Sequence, residues 1–371
     1  MARDGEPGKA YLKGLSCEKI RIRAGELGFD LIGFVPVGKA DAPRFAAFSH
    51  WLQQGMHGEM AYLARDPERR RYPQVLLPGC QTVIMVGASY DQLHVPMDVL
   101  RDPARGRIAR YAWGADYHDT LTPRLRQLGD FVSANSRAYV DTGAVLERAW
   151  AERAGLGFIG KNTCLINRGM GSYLFLGAIL AGEVLIDEDE SGAPAELQMN
   201  MRAQPKKAAG CGACTRCMTA CPTGALRAPY QLDARLCISY LTIELRGSIP
   251  IELREQMENW IFGCDICQDV CPYVRRMERS RATDLPSVSI EVAAPRLVDV
   301  LALDKRAFGA RFKGTPIMRA KRRGLLRNAC VAAGNYGGRE VVEPLRALLV
   351  DEEPMVREHA AWALGKIGWV S

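Results

Sequence analysis

Seven of the twelve cysteines in this 371-residue chain fall into two patterned runs. Cys211-Gly-Ala-Cys214-Thr-Arg-Cys217-Met-Thr-Ala-Cys221-Pro222 spells C-x-x-C-x-x-C-x-x-x-C-P, and Cys264-Asp-Ile-Cys267-Gln-Asp-Val-Cys271-Pro272 repeats its closing part. Thiolates at this spacing wrap iron-sulfur cubanes, and the cysteine before proline crosses to the neighbouring cluster. The isolated Cys237 is the natural eighth ligand, so the pattern calls for two 4Fe-4S clusters. Cys211, Cys214, Cys217 and Cys271 would share one, and Cys221, Cys237, Cys264 and Cys267 the other. Zinc takes C-x-x-C pairs, a poor match to three evenly spaced cysteines followed by Cys-Pro. No secretory signal is visible at the amino terminus, so metal ligation is expected ahead of disulfides. Cys17, Cys80, Cys164 and Cys330 have no C-x-x-C partner and read as buried small hydrophobes.

The length suggests two or three domains. With 48% hydrophobic and 25% charged residues the chain can bury an ordinary core. No apolar run reaches the roughly 18 residues of a membrane span, so a cytoplasmic monomer without a membrane partner is expected. The net charge of +7 is unevenly spread: Lys305 to Arg327 holds nine basic residues and no acid. Lys313, Arg319, Lys321, Arg322, Arg323 and Arg327, interleaved with apolar residues, are candidates for phosphate contact.

Helical and strand patterns alternate over the first 190 or so residues. Cys17–Leu27, Arg44–Gln54, Leu121–Ser136 and Val145–Ala154 read as helices; 28–36, Thr82–Tyr90, Ala138–Gly143 and Gly171–Leu180 read as strands. Helices follow beyond Pro295. Asp351-Glu-Glu-Pro-Met-Val-Arg-Glu-His-Ala-Ala-Trp-Ala-Leu-Gly365 has the acidic-Pro turn and V-R-x-x-A-A-x-A-L-G face of a HEAT repeat. Only one or two repeats fit, fewer than a free solenoid needs, so this segment must pack on what precedes it. The expected class is α+β: a mixed α/β domain over 1–200, a ferredoxin-like two-cluster domain over 201–290, and an all-helical HEAT-like region over 291–371.

Clusters deliver electrons but do not themselves transform an organic substrate, so the acceptor must lie in the first domain. Neither a G-x-G-x-x-G after a strand nor a G-x-x-x-x-G-K-[ST] loop occurs there, which disfavours nicotinamide and ATP. Val140-Asp141-Thr-Gly-Ala-Val-Leu-Glu147-Arg148, Ile159-Gly-Lys161-Asn162-Thr163, Gly171-Ser-Tyr-Leu174, Leu236-Cys237-Ile-Ser239-Tyr240-Leu-Thr242-Ile-Glu244 and Trp260-Ile-Phe-Gly-Cys264 together resemble the epoxyqueuosine reductase family. The resemblance implies a nitroreductase-like, cobalamin-binding first domain. It also implies reduction of the epoxide of epoxyqueuosine at the wobble position of tRNA, with electrons from an external donor.

The resemblance places the proton donor at Asp141. A general acid must hold its proton near neutral pH, which calls for burial of that carboxyl; without the resemblance, Asp141 reads as a cap on the helix after it. Arg148 would hold the acid or the corrin. Lys161 and Asn162, after a Gly-rich turn, would contact the cofactor, and Ser239, Tyr240, Thr242 and Glu244, close behind Cys237, would lie between cluster and corrin. Each has an alternative as packing around the cluster. His118 only begins a D-x-H-x-x-G motif, since leucine stands where glycine is required, and it reads as a surface or core histidine. An anticodon stem-loop would be gripped through phosphate by the basic segment. A small-molecule corrinoid reductase resembling reductive dehalogenases, and a non-enzymatic nucleic-acid-binding module, are the rival readings.

Overall fold

The computed structural model describes residues 15–37, 42–91, 95–188, 194–196, 210–274 and 289–369. The expected frayed start, His94, the boundary at 200/201 and most of the acidic-to-polar segment 187–207 lie outside the described residues.

A four-stranded antiparallel sheet organises the first region, in the order Leu31–Pro36, Thr82–Ser89, Leu174–Ala181, Ser136–Tyr139. The strand Thr82–Ser89 is buried along its whole length, as its continuous apolar run requires of a central strand. Side chains alternate across it. Ile84 and Val86 join Ile20, Leu125, Leu128 and Ile179 under the helices Cys17–Glu26 and Tyr117–Val132. Val83 and Met85 join Trp150, Ala151 and Leu180 under the helix Glu147–Arg153 on the other face. Helices on both sides of one sheet give the mixed α/β layer that the alternating pattern predicts.

The strand Ser136–Tyr139 ends two residues before Asp141, short of the 138–143 span expected. A strand that continued to Gly143 would have pinned Asp141 in the sheet.

The cysteine-rich region packs against the first through a parallel pairing of Arg107–Ile108 with Trp260–Phe262. Its short helices Arg216–Ala220 and Ile266–Asp269 carry Cys217 and Cys267. The carboxy-terminal helices Leu297–Leu301, Lys305–Phe312, Lys321–Tyr336, Val342–Ala347 and Pro354–Ile367 share one core with Ile108, Trp113 and Phe262. Asn328 is fully buried, and its amide donates to Thr242 O and Ile261 O, 2.8 Å each. The repeat region therefore packs on the cysteine-rich one as well as on itself, with Lys321–Tyr336 lying against Pro354–Ile367. No helix among the described residues is long and apolar enough to cross a membrane.

Candidate active site

Asp141 sits at the apex of a three-residue turn. The Thr142 N–H donates to Val140 O at 2.7 Å, and Asp141 takes φ +51°, a strained conformation of the kind that gathers at functional sites. The helix after it begins at Glu147 with Leu146 as a cap that makes no side-chain bond, so Asp141 is not a helix cap. The Tyr117 hydroxyl donates to Asp141 Oδ2, and His118 Nε2 lies 3.1 Å from Oδ1. Burial, then the Asp141 charge, holds the Tyr117 phenol well above its usual range. Asp141 is not buried as expected: its side chain is 58% exposed, because the turn lifts it off the sheet into an open cavity.

Sequence reasoning misses Tyr117 altogether, and His118 is neither a surface nor a core histidine. The available signal was Asp116, whose carboxylate caps the helix by accepting from the His118 N–H at 3.0 Å and so fixes which way the first turn faces. Arg319, two hundred residues on, donates to both Asp116 oxygens at 2.9 and 3.0 Å and approaches His118 Nδ1 at 2.6 Å. Against burial, the His118 contacts and Arg319 hold the Asp116 carboxyl below its usual range.

The cavity beside Asp141 measures about 1080 Å³. Phe48, Trp51, Leu63, Val145, Leu146 and Ile243 give it apolar walls; Arg148, Ser239, Tyr240, Glu244 and Arg319 supply polar groups, and Cys237 reaches it from the cysteine-rich side. Gly58 lies against Tyr240, where a side chain on Gly58 would meet the ring at 2.6 Å, so glycine is what lets that loop close the wall. This volume is at the upper end for ligand sites and suits a large, mostly apolar macrocycle.

The cysteines gather in two groups. Cys211, Cys214, Cys217 and Cys271 line a cavity of about 320 Å³. Burial pushes the Cys237 and Cys264 thiols up, with Cys221 beside the first and Cys237 beside the second. A hydrogen bond with Cys164, then burial, does the same to Cys267, whose neighbours include Cys264 and Cys237. Two sets of four thiols suit the coordination of two cubanes. Cys17, Cys80 and Cys330 are buried as expected, but Cys164 is not one of these inert thiols: it stands at Cys267.

Several expected cofactor contacts are placed differently. Lys161 N–H donates to Cys211 Sγ at 3.3 Å and its ammonium to Gly212 O at 2.7 Å and Cys214 O at 3.0 Å. Asn162, 4% exposed, donates to Cys267 O at 3.3 Å. Lys161 and Asn162 thus join the two cysteine groups, while Ile159 and Thr163 on either side of them line the large cavity. Thr242 is 1% exposed, its hydroxyl donating to Ile238 O and accepting from the Gly263 N–H, so it packs the helix behind the wall. Arg148 lines the cavity but donates to Thr163 O at 2.7 Å.

The basic segment divides as well. Arg327 is 1% exposed and donates to the carbonyls of Leu241, Leu245 and Gly247 at 2.5, 2.8 and 2.7 Å, which removes it from any phosphate-binding surface. Arg322 is held by Leu303 O and Asp351, both at 2.7 Å, and Arg319 faces the cavity. Lys313 and Lys321 are exposed, and Arg323 is partly so.

The fold and the site define an iron-sulfur oxidoreductase whose cysteine-rich domain abuts a large ligand cavity. The sequence-family profile for a 4Fe-4S double cluster binding domain matches residues 210–274, that for Epoxyqueuosine reductase QueG, DUF1730 matches 70–142, and that for HEAT repeats matches 316–370. The chain is 39% identical over 359 residues to the epoxyqueuosine reductase of Xanthomonas campestris pv. campestris, covering 94% of this chain and 96% of the relative. It is 39% identical to that of Escherichia coli K12, covering 94% and 89%. A crystal structure of an epoxyqueuosine reductase with a tRNA-Tyr epoxyqueuosine-modified stem loop superposes with TM-score 0.80 at 31% identity, covering 95% and 90%. The Streptococcus thermophilus epoxyqueuosine reductase does so at 0.79 and 30%, with the same coverage. The chain belongs to the epoxyqueuosine reductase family.

Proposed function

We propose that the protein reduces the epoxide of epoxyqueuosine at the wobble position of tRNA to give queuosine, using two 4Fe-4S clusters and cobalamin. The observation that carries this reading is Cys237. It belongs to the second cysteine group and also lines the cavity that Asp141 faces, so electrons arriving one at a time on that group emerge at the reaction space. Cys211, Cys214, Cys217 and Cys271 hold one cluster; Cys221, Cys237, Cys264 and Cys267 hold the other. Lys161 and Asn162 support these ligands through their backbone and sulfur contacts. Ser239, Tyr240, Glu244 and Arg148, with the apolar faces of Phe48 and Trp51, are the residues that would hold cobalamin. Cobalamin bound there supplies the electron-rich centre that reductive opening of an epoxide needs.

Asp141 supplies the proton. An alkoxide is a poor leaving group, so the oxygen must be protonated as its C–O bond breaks, and Tyr117 and His118 hold the carboxyl in place for that step. Filling the cavity removes water from around Asp141, providing the desolvation that the open cavity lacks. The wobble base of a single-stranded loop can be splayed into such a pocket. Lys313, Lys321 and Arg323 are the surface residues that contact phosphate, with an external one-electron donor as the second partner. The test is mass spectrometry of an epoxyqueuosine-containing anticodon stem-loop after incubation with reduced, reconstituted protein. Loss of one oxygen atom is expected, and an unchanged mass with intact clusters and bound cobalamin overturns the reading.

A further inference from the structure

Besides Asp141 and Glu244, the cavity contains a carboxyl to which the step above gives no work. Glu147 opens the helix Glu147–Arg153 and lines the same wall as Asp141. Its Oε1 is buried without a hydrogen-bond partner, an arrangement that penalises a carboxylate far more than a neutral acid. The groups facing it are Asp141 from the turn before, Arg148 on its own helix and Arg70 from Pro67–Arg70 across the cavity. The two arginines and the helix start favour the charged form; burial and the Asp141 charge oppose it.

Resting on the function proposed above, the chemistry requires a second proton. Converting an epoxide to an alkene breaks two C–O bonds, forms one C=C bond and releases the oxygen as water. It consumes two electrons, which the external one-electron donor provides through the clusters, and two protons. Asp141 carries one proton at a time. We propose that Glu147 is the store of the second: once Asp141 has protonated the oxygen at the first C–O cleavage, the Glu147 proton passes to the Asp141 carboxylate, which protonates the hydroxyl as it leaves. Both carboxylates then recover protons from water. Glu147 acts through Asp141 and is a positioning residue for the proton rather than one that touches substrate. Burial, the largest influence, pushes its carboxyl up to about 7, so the store is filled on the acid side of neutrality.

The test has an arm that needs no substrate. Infrared difference titration of the holoprotein should show a protonated-carboxyl band lost as pH rises through about 7. That band should be absent in Glu147→Gln and retained in Asp141→Asn. In the second arm, Glu147→Gln should keep its clusters and stem-loop affinity, turn over roughly 100-fold more slowly, and lose the decline in rate above neutral pH. Absence of the band, or a Glu147→Gln variant with the parent's rate and pH profile, overturns the proposal. If Glu147→Gln fails to fold, the infrared comparison of parent and Asp141→Asn still decides whether the band exists. A parent that shows the band yet never deoxygenates the stem-loop removes the reaction, and the second-proton role with it, while leaving the protonated carboxyl standing.

Discussion

Arg319 Nη2 lies 2.6 Å from His118 Nδ1 across 201 positions of sequence, linking the basic segment to the turn that carries Asp141. His118 Nδ1 therefore sits between the guanidinium and Asp116 Oδ1, which lies 2.9 Å away, and this pins the ring so that Nε2 faces Asp141 Oδ1 at 3.1 Å. The guanidinium also spans both Asp116 oxygens, so one side chain fixes the cap, the imidazole and, through it, the carboxyl. Arg319→Ala should therefore act on turnover. Losing charge-assisted bonds of about 1.5–3 kcal/mol corresponds to roughly a ten- to hundred-fold fall in kcat, with stem-loop affinity nearly unchanged. Lower affinity at unchanged kcat would return Arg319 to the phosphate-binding role first expected of it.

Asp141→Asn keeps the volume of the side chain and an acceptor for Tyr117 but cannot give up a proton as an acid does. Iron content, cobalamin uptake and stem-loop binding should match the parent, while the single-turnover rate falls by roughly 100- to 10,000-fold, the usual contribution of a general acid. Stopped-flow measurement with pre-reduced protein isolates that step. A variant as fast as the parent would mean that the proton comes from elsewhere.

The double-cluster domain was legible because thiolate spacing is a local property: C-x-x-C-x-x-C-x-x-x-C-P means the same thing wherever the chain goes next. The sheet was legible because Val83–Ala88 and Leu174–Ala181 are unbroken apolar runs. What sequence could not supply was direction. Lys161 and Asn162 follow a Gly-rich turn that does approach a cofactor site, yet both residues face the cysteines. Arg327 reads as surface charge in a basic run but lies on the buried face of Lys321–Tyr336, where three carbonyls from Leu241 onward need a donor. His118 carried no complete motif, and its role depends on Arg319, a contact no local pattern encodes.

Separating exposed from buried basic residues gives opposite expectations within one segment. Changing Lys313, Lys321 and Arg323 together to Ala should leave stability within about 0.5 kcal/mol per site. It should weaken stem-loop binding and flatten its salt dependence by roughly 0.7–0.9 in log-log slope for each phosphate no longer neutralised. Arg327→Ala should instead leave the carbonyls of Leu241, Leu245 and Gly247 unsatisfied, at about 1–3 kcal/mol for each buried acceptor, and lower the Tm by several degrees. Salt-titrated binding and thermal melts on the two variants check both. A triple variant with the parent's salt slope would move the tRNA interface to another face.

The closure of the repeat region should be sensitive to acid, and His359 is the reason. It is fully buried; Nδ1–H donates to Met355 O at 2.8 Å, and Nε2 accepts from the Ile249 N–H at 3.2 Å. Protonating Nε2 would set two N–H groups against each other, in a site already next to the Arg254 guanidinium. Burial first, and then Arg254, lowers its pKa from 6.5 to about 4. Between those values the unfolded chain binds a proton that the folded one excludes, so stability is complete above about pH 6.5 and falls as pH drops towards 4. At 1.36 kcal/mol per pH unit the loss at pH 5 is about 2 kcal/mol. His359→Gln cannot titrate, so it should start less stable at pH 7.5 and lose less on acidification. Denaturant melts of both proteins at pH 7.5 and 5 measure the difference, and equal losses would show that His359 does not sense acid.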